Sequence, residues 1–196
     1  MVPLIANSVL PDANIWVSQT LHSWFCLIAA ETRGSWRFCW TEDILAEAVY
    51  HRRRRFVGTN SRQVEDVRDR LIKSIGAENR ISRFPFDGTV AFPDPDDAHI
   101  HSAAVHAGIA IIVSDNIRDF DGIYDDPDEC PYEVYASDEF LMLVAQSAPD
   151  TVDAVARLQY AYHAKRGKPF SLPKRLEDAG CPEFAQYIRG RLQYIT

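Results

Sequence analysis

The chain has 196 residues and is 46% hydrophobic, enough to bury one good core, so one domain is expected, with room for a helical appendage. Its longest apolar run, residues 107–113, is far shorter than the ~20 residues that cross a bilayer, and Met1-Val2-Pro3 begins no signal peptide, so no membrane partner is expected. The net charge of −7 argues against a nonspecific polyanion binder but hides an asymmetry: residues 87–139 hold 14 acids and one Lys/Arg, whereas 51–73 and 157–191 each hold eight Lys/Arg against three acids.

An acidic centre between basic segments suits a divalent cation in the middle and phosphates at the rim. The plainer reading is that each block is a solvated face. The four cysteines, Cys26, Cys39, Cys130 and Cys181, contain no C-x-x-C pair, which argues against zinc. Cys26 and Cys39 lie in apolar surroundings and read as core thiols, so a reducing cytoplasm fits best.

In chain order, "LIANSVL" (4–10) reads as a first strand ending at "PDAN". Residues 17–32 are helical in pattern, with apolar residues at 21, 24, 25, 28 and 29, and Arg33-Gly34 is a stop. "WRFCW" (36–40) alternates as a strand, after which Thr41 offers an N-cap for a helix to about residue 56. "GTNS" breaks that helix, and "RQVEDVRDRLIKSIG" forms the next. Residues 81–93 are irregular. "PDPDDAHIHSAAVHAG" is a helix closed by Gly108, followed by the strand "IAIIV" and later by "YEVYA". The alternation predicts an α/β fold with a mostly parallel central sheet flanked by helices. From Ser137 the pattern is helical only, so residues 1–136 read as the α/β domain and 137–196 as a helical C-terminal extension packed on it.

Ligands of open parallel sheets bind outside the carboxyl ends of the strands. The acids expected there are Asp12 after the first strand, Asp115 and Asp119 after the strand at 109–113, and Asp94, Asp96 and Asp97 at the start of the preceding helix. Glu47 lies mid-helix, beside the buried stripe Ile44, Leu45, Ala48 and Val49, and shares a ridge with His51 and Arg54. Each acid also has a plain structural role. Asp94 suits an N-cap with Pro95 and Asp97 behind it, Asp96 and Asp97 suit the positive end of a helix, Asp12 suits a turn, and Glu47 suits pairing with His51. Carboxylates gathered in a low-dielectric cleft nevertheless call for a cation. His99, His101 and His106 share one helix with no nucleophile nearby in the pattern and read as ordinary helix residues, His101 near Asp97 being the one of interest.

"LPDANIWVS", "TEDILAEAVY", "PDPDDAHIHSAAVHAGIAIIVSDNIRDF" and "YASDEFL", in that order and spacing, resemble the PIN-domain nucleases and, within them, the VapC-type toxins of toxin–antitoxin modules. The resemblance covers roughly residues 5–145, and "PKRLEDAGCPEFAQYIRGRL" is similar to the helical extension of one VapC subgroup. It implies that Asp12, Glu47 and Asp97 are three of four site acids. Much of the family carries the fourth in a T-x-D pattern, where this chain reads Ser114-Asp115-Asn116. One branch carries T-x-N-x-x-D-F instead, and "SDNIRDF" fits it with Ser114 for Thr. On that fit Asp119 is the fourth acid, Asn116 and Ser114 are supporting residues alongside Asp94, and Asp115 is a surface turn residue.

Oxygen ligands without clustered His or Cys select Mg²⁺ or Mn²⁺. The resemblance implies a metal-dependent endoribonuclease that leaves a 5′-phosphate and a 3′-hydroxyl on RNA, often tRNA, together with an antitoxin partner and a homodimer as an open option. Arg54 and His51 are the expected RNA contacts, with Arg52, Arg53 and Arg55 fanning onto neighbouring faces. The alternative from another class is a catalytically degenerate RNA- or protein-binding module.

Overall fold

The computed structural model describes residues 7–32, 34–55, 61–92, 97–167 and 169–195, with backbone alone at 61–67 and 195. Four strands form one sheet: β1 (Ser8–Pro11), β2 (Arg37–Phe38), β3 (Ile111–Val113) and β4 (Glu133–Tyr135). Their order is β2-β1-β3-β4 and every pairing is parallel, as the alternating pattern predicts. Val9 pairs with Phe38 on one side and Ile111 on the other, and Val113 pairs with Tyr135. Both central strands are buried along their length, which is why they read as continuous apolar runs.

The helices are α1 (Ala13–Val17), α2 (Gln19–Glu31), α3 (Glu42–Arg55), α4 (Ser61–Ile75), α5 (Ala98–Ala107), α6 (Ser137–Ser147), α7 (Pro149–Ala164), α8 (Leu172–Glu177) and α9 (Pro182–Ile195). The expected helix at 17–32 is α2, and a short helix, α1, precedes it that the sequence pattern does not show. Asp12 starts α1 directly after β1, and Ser18 interrupts it in extended conformation, its Oγ accepting from the Leu21 N–H at 3.3 Å to begin α2. Thr41 caps α3 as expected, its Oγ1 accepting from the Ile44 N–H at 3.0 Å. Gly108, at φ 61°, takes the left-handed conformation that ends α5, and its N–H reaches the Ala104 and Val105 carbonyls. The expected beginning of the first strand and of the helix at 93 lie outside the described residues, as does Asp94.

One continuous apolar cluster joins sheet and helices. Phe140 of α6 packs on Phe25, Trp36 and Phe38, and Trp24 of α2 meets Phe184 of α9 edge to face at 5.1 Å. Polar ties reinforce the C-terminal helices. Gln159 donates to Ser23 at 2.7 Å, and the Asp138 carboxylate accepts from the Glu183 and Phe184 N–H groups at the start of α9. Among the described residues no helix is long and apolar enough to cross a membrane.

Candidate active site

The chain leaves β1 toward β2 on one side of the sheet and reaches β3 on the other, so the carboxyl ends of β1 and β3 flank the point where the strand order reverses. Crevices open at such points. Asp12 ends β1 there and Ser114 ends β3. The Asp12 N–H donates to the Val113 carbonyl at 2.9 Å, and the Ser114 N–H donates to the Tyr135 carbonyl at 3.0 Å, locking three strand ends together.

The Asp12 side chain is 4% exposed. Its Oδ1 accepts from the Ala13 N–H at 2.5 Å, and its Oδ2 accepts from Asn14 Nδ2 at 2.6 Å and from Ser114 Oγ at 2.7 Å. Asn14 Nδ2 also reaches Ser114 Oγ at 3.0 Å, while Asn14 Oδ1 accepts from the Asp115 N–H and Ser114 Oγ from the Asn116 N–H. A carboxylate with three donors is ordinarily easy to ionise. Burial outweighs those donors here and pushes the Asp12 carboxyl above its usual range, opposed by the Ser114 and Ala13 hydrogen bonds and by His99, and aided by the Asp115 charge. The side chain is oriented as an anion yet electrostatically under-compensated, and a cation at the strand ends would supply what is missing.

Glu47 projects from α3 with its side chain 34% exposed. His51 Nε2 lies 3.5 Å from one of its oxygens, and His99 Nε2 lies 4.0 Å from the other. Asp12 too lies within electrostatic reach of His99, so this imidazole is near both acids. The histidine of interest on α5 is therefore His99 rather than His101. Two residues apart on a helix means roughly 200° of rotation, so they face opposite ways. His101 is fully buried, its Nδ1 2.8 Å from the Tyr132 hydroxyl.

Asp97 immediately precedes α5, half-buried, and its side chain does not cap the helix. Asp119 closes a 3-10 turn over Ile117–Asp119, its N–H donating to the Asn116 carbonyl at 3.0 Å. Among the described residues its half-buried carboxylate forms no hydrogen bond or ion pair, which leaves it uncommitted to the fold. Asp115 is exposed, but its Oδ1 accepts from the Ser137 N–H at 2.9 Å and fastens the turn after β3 to the start of α6. Direct contacts thus join Asp12, Asn14 and Ser114, and separately Glu47, His51 and His99. Among the described residues no three His, Cys, Asp or Glu side chains converge closely enough to hold a metal ion, and Asp94 and Asp96 lie outside that set.

The arginine run at the end of α3 divides. Arg52 does not fan outward. It is 9% exposed and donates from Nη1 to the Trp16 carbonyl at 3.2 Å, because it follows Ala48 and Leu45 on the buried stripe. Arg54 lies on the surface, 5.5 Å above the Tyr50 ring and within 3.2 Å of its hydroxyl. Asn14 was not singled out by the sequence reading. Its signal was the D-x-N spacing at a strand end, where an Asp that starts a helix leaves an amide two residues on to grip it. The PIN domain family model matches residues 8–118, more than half of the chain, while no curated protein and no solved structure matches it.

Proposed function

Because the chain belongs to the PIN domain family, whose members are generally nucleases, we propose that it is a divalent-metal-dependent endoribonuclease whose active site is the strand-end cluster around Asp12. The observation that carries this reading is the Asp12 carboxylate: buried, fixed by three donors, and still under-compensated in charge. Asp12, Glu47, Asp97 and Asp119 would hold Mg²⁺ or Mn²⁺, with Asn116 and Ser114 in support. Such an ion, when bound, activates water and neutralises charge developing on a phosphodiester.

The remaining work falls to this chain's own residues. Asn14 and Ser114 keep the Asp12 carboxylate in one orientation, so it need not reorganise during reaction. A proton accepted at Glu47 has His51 and His99 as its next carriers. Arg54, held against Tyr50, offers a cation to a neighbouring phosphate. The resemblance to VapC-type toxins supports a place in a toxin–antitoxin pair, with an antitoxin partner and RNA, including tRNA, as substrate.

A second reading is a non-hydrolysing RNA- or protein-binding module. It is favoured by the lack of three convergent ligand side chains among the described residues. One experiment separates the two: cleavage of single-stranded RNA and thermal melting, each with and without Mg²⁺ or Mn²⁺, for the wild type, Asp12→Asn and Asp97→Asn. The nuclease requires metal-dependent cleavage and metal-induced stabilisation that both variants lose. Wild-type rates in either variant, or metal-independent melting in all three, would favour the binding module.

A further inference from the structure

The C-terminal helices carry a second charge feature that the strand-end site does not use. Residues 157–176 contain six Lys/Arg and no acid, in a chain whose net charge is −7. Among the described residues Arg157, Lys165, Arg166 and Arg175 are exposed and form no ion pair, whereas Lys174 is held by Asp178 at 2.5 Å. Aromatic rings lie among these cations. Tyr160 packs edge to face on Phe170 at 5.2 Å, Phe170 meets His163 at 5.3 Å, and His163 meets Tyr162 at 5.1 Å. Arg166 caps the series, its guanidinium 4.5 Å above the Tyr162 ring. Tyr160 and Tyr162 remain 40% and 52% exposed on opposite flanks of the buried stripe of α7, and Phe170 and His163 link their rings across it. The His163 imidazole is held below its ordinary range by burial and then by the Arg175 and Arg166 guanidiniums, so both cations lie within electrostatic reach of it.

We propose that the C-terminal end of α7, with Phe170 and Arg175, is a docking surface for single-stranded RNA, separate from the strand-end acids. The inference rests on the nuclease reading for the identity of the polyanion. Interleaved aromatic rings and unpaired cations are what single strands require, since bases stack on rings of any sequence while phosphates pair with the cations. Tyrosine and arginine also anchor protein interfaces, so a protein occupant is an outcome of the test below; six Lys/Arg without one acid over residues 157–176 are what favour a polyanion. In this arrangement Tyr160 and Tyr162 take bases and Arg166 and Arg175 take phosphates, so that a long RNA is held by the extension while another part of it enters the acidic crevice.

The test measures binding of a single-stranded RNA of about 20 nucleotides, long enough to fill such a platform, by fluorescence anisotropy across a salt series. The full chain carries Asp12→Asn to prevent turnover. Tyr160→Ala with Tyr162→Ala should weaken binding at least about tenfold, while Tyr160→Phe with Tyr162→Phe retains it, because stacking needs the ring and not the hydroxyl. Arg166→Gln with Arg175→Gln should flatten the salt slope by roughly 1.4, about 0.7 for each phosphate contact removed. Unchanged affinity and slope in the alanine and glutamine variants, the result expected if a protein occupies this surface, would overturn the proposal. Equal losses in the phenylalanine and alanine pairs would also overturn it. Cleavage by the chain with Asp12 intact is scored separately. Absence of cleavage with tyrosine-dependent binding preserved refutes the nuclease reading and supports the surface, whereas intact cleavage with indifferent surface variants refutes the surface alone.

Discussion

His22 offers a quantitative test of how the fold supports the site. It is 4% exposed on α2 and packs edge to face on Trp16 of α1 at 5.7 Å. The Trp16 carbonyl is the group that Arg52 holds, and α1 is the helix that Asp12 begins. Burial, and then the Arg52 and Arg70 guanidiniums, push the imidazole down from 6.5 to about 4. The unfolded chain therefore takes up a proton at this residue below about pH 6.5, and the folded chain does so only near pH 4. Stability from this residue is complete above that window and is lost as pH falls through it. The full shift corresponds to about 3 kcal/mol, of which about 2 kcal/mol is lost between pH 7 and pH 4.5. For a chain of this length that is a fall in Tm of roughly 4–8 °C. His22→Phe preserves an aromatic ring against Trp16 and cannot titrate. Urea unfolding at pH 7 and pH 4.5 should show the wild type losing about 2 kcal/mol more than His22→Phe. Equal pH dependence in the two proteins would mean that His22 is solvated or paired in the native state, and would refute the reasoning.

Three further outcomes concern the site itself. Asn14→Ala and Ser114→Ala should each lower RNA cleavage about 10–100-fold, measured under saturating metal, because each removes one of the two side-chain donors that fix Asp12 Oδ2. Asp119→Asn should lower the rate on the order of 100-fold, whereas Asp115→Asn, which keeps the acceptor for the Ser137 N–H, should be nearly silent; the reverse ranking would move the fourth acid to Asp115. Arg54→Ala should flatten the salt slope of RNA binding by about 0.7 with little change in Tm. Arg52→Ala should instead destabilise the fold by about 1–3 kcal/mol in denaturant titration, since a buried charge-assisted hydrogen bond to the Trp16 carbonyl is lost.

The sheet was legible because its central strands are short apolar runs bounded by polar turns, and the long helices because their apolar residues recur at helical spacing. Thr41 and Gly108 marked real ends through local chemistry, a hydroxyl cap and a left-handed residue. The short helix α1 was not legible. Its five residues are too few for an apolar pattern to recur over two turns, and its start depends on the Asp12 backbone being extended, a property of the strand before it. Asp12 and Ser114 were identifiable as strand-end residues, but their 2.7 Å contact joins positions 102 apart and arises only from the parallel pairing of β1 with β3. One-dimensional proximity to Asp97 says nothing about which side of α5 the His99 and His101 imidazoles face. Arg52 was misjudged for the opposite reason. Charge suggested the surface, although its spacing from Leu45 and Ala48 already placed it on the buried stripe.

The most direct test of the strand-end site as a nuclease is sequencing of RNA 5′-phosphate ends in cells expressing the chain beside an Asp12→Asn control. The site around Asp12 predicts a discrete set of new 5′-phosphate ends that appears with the wild type and vanishes with the variant. The same ends in both, or none in either while the wild-type protein is folded and abundant, would contradict it.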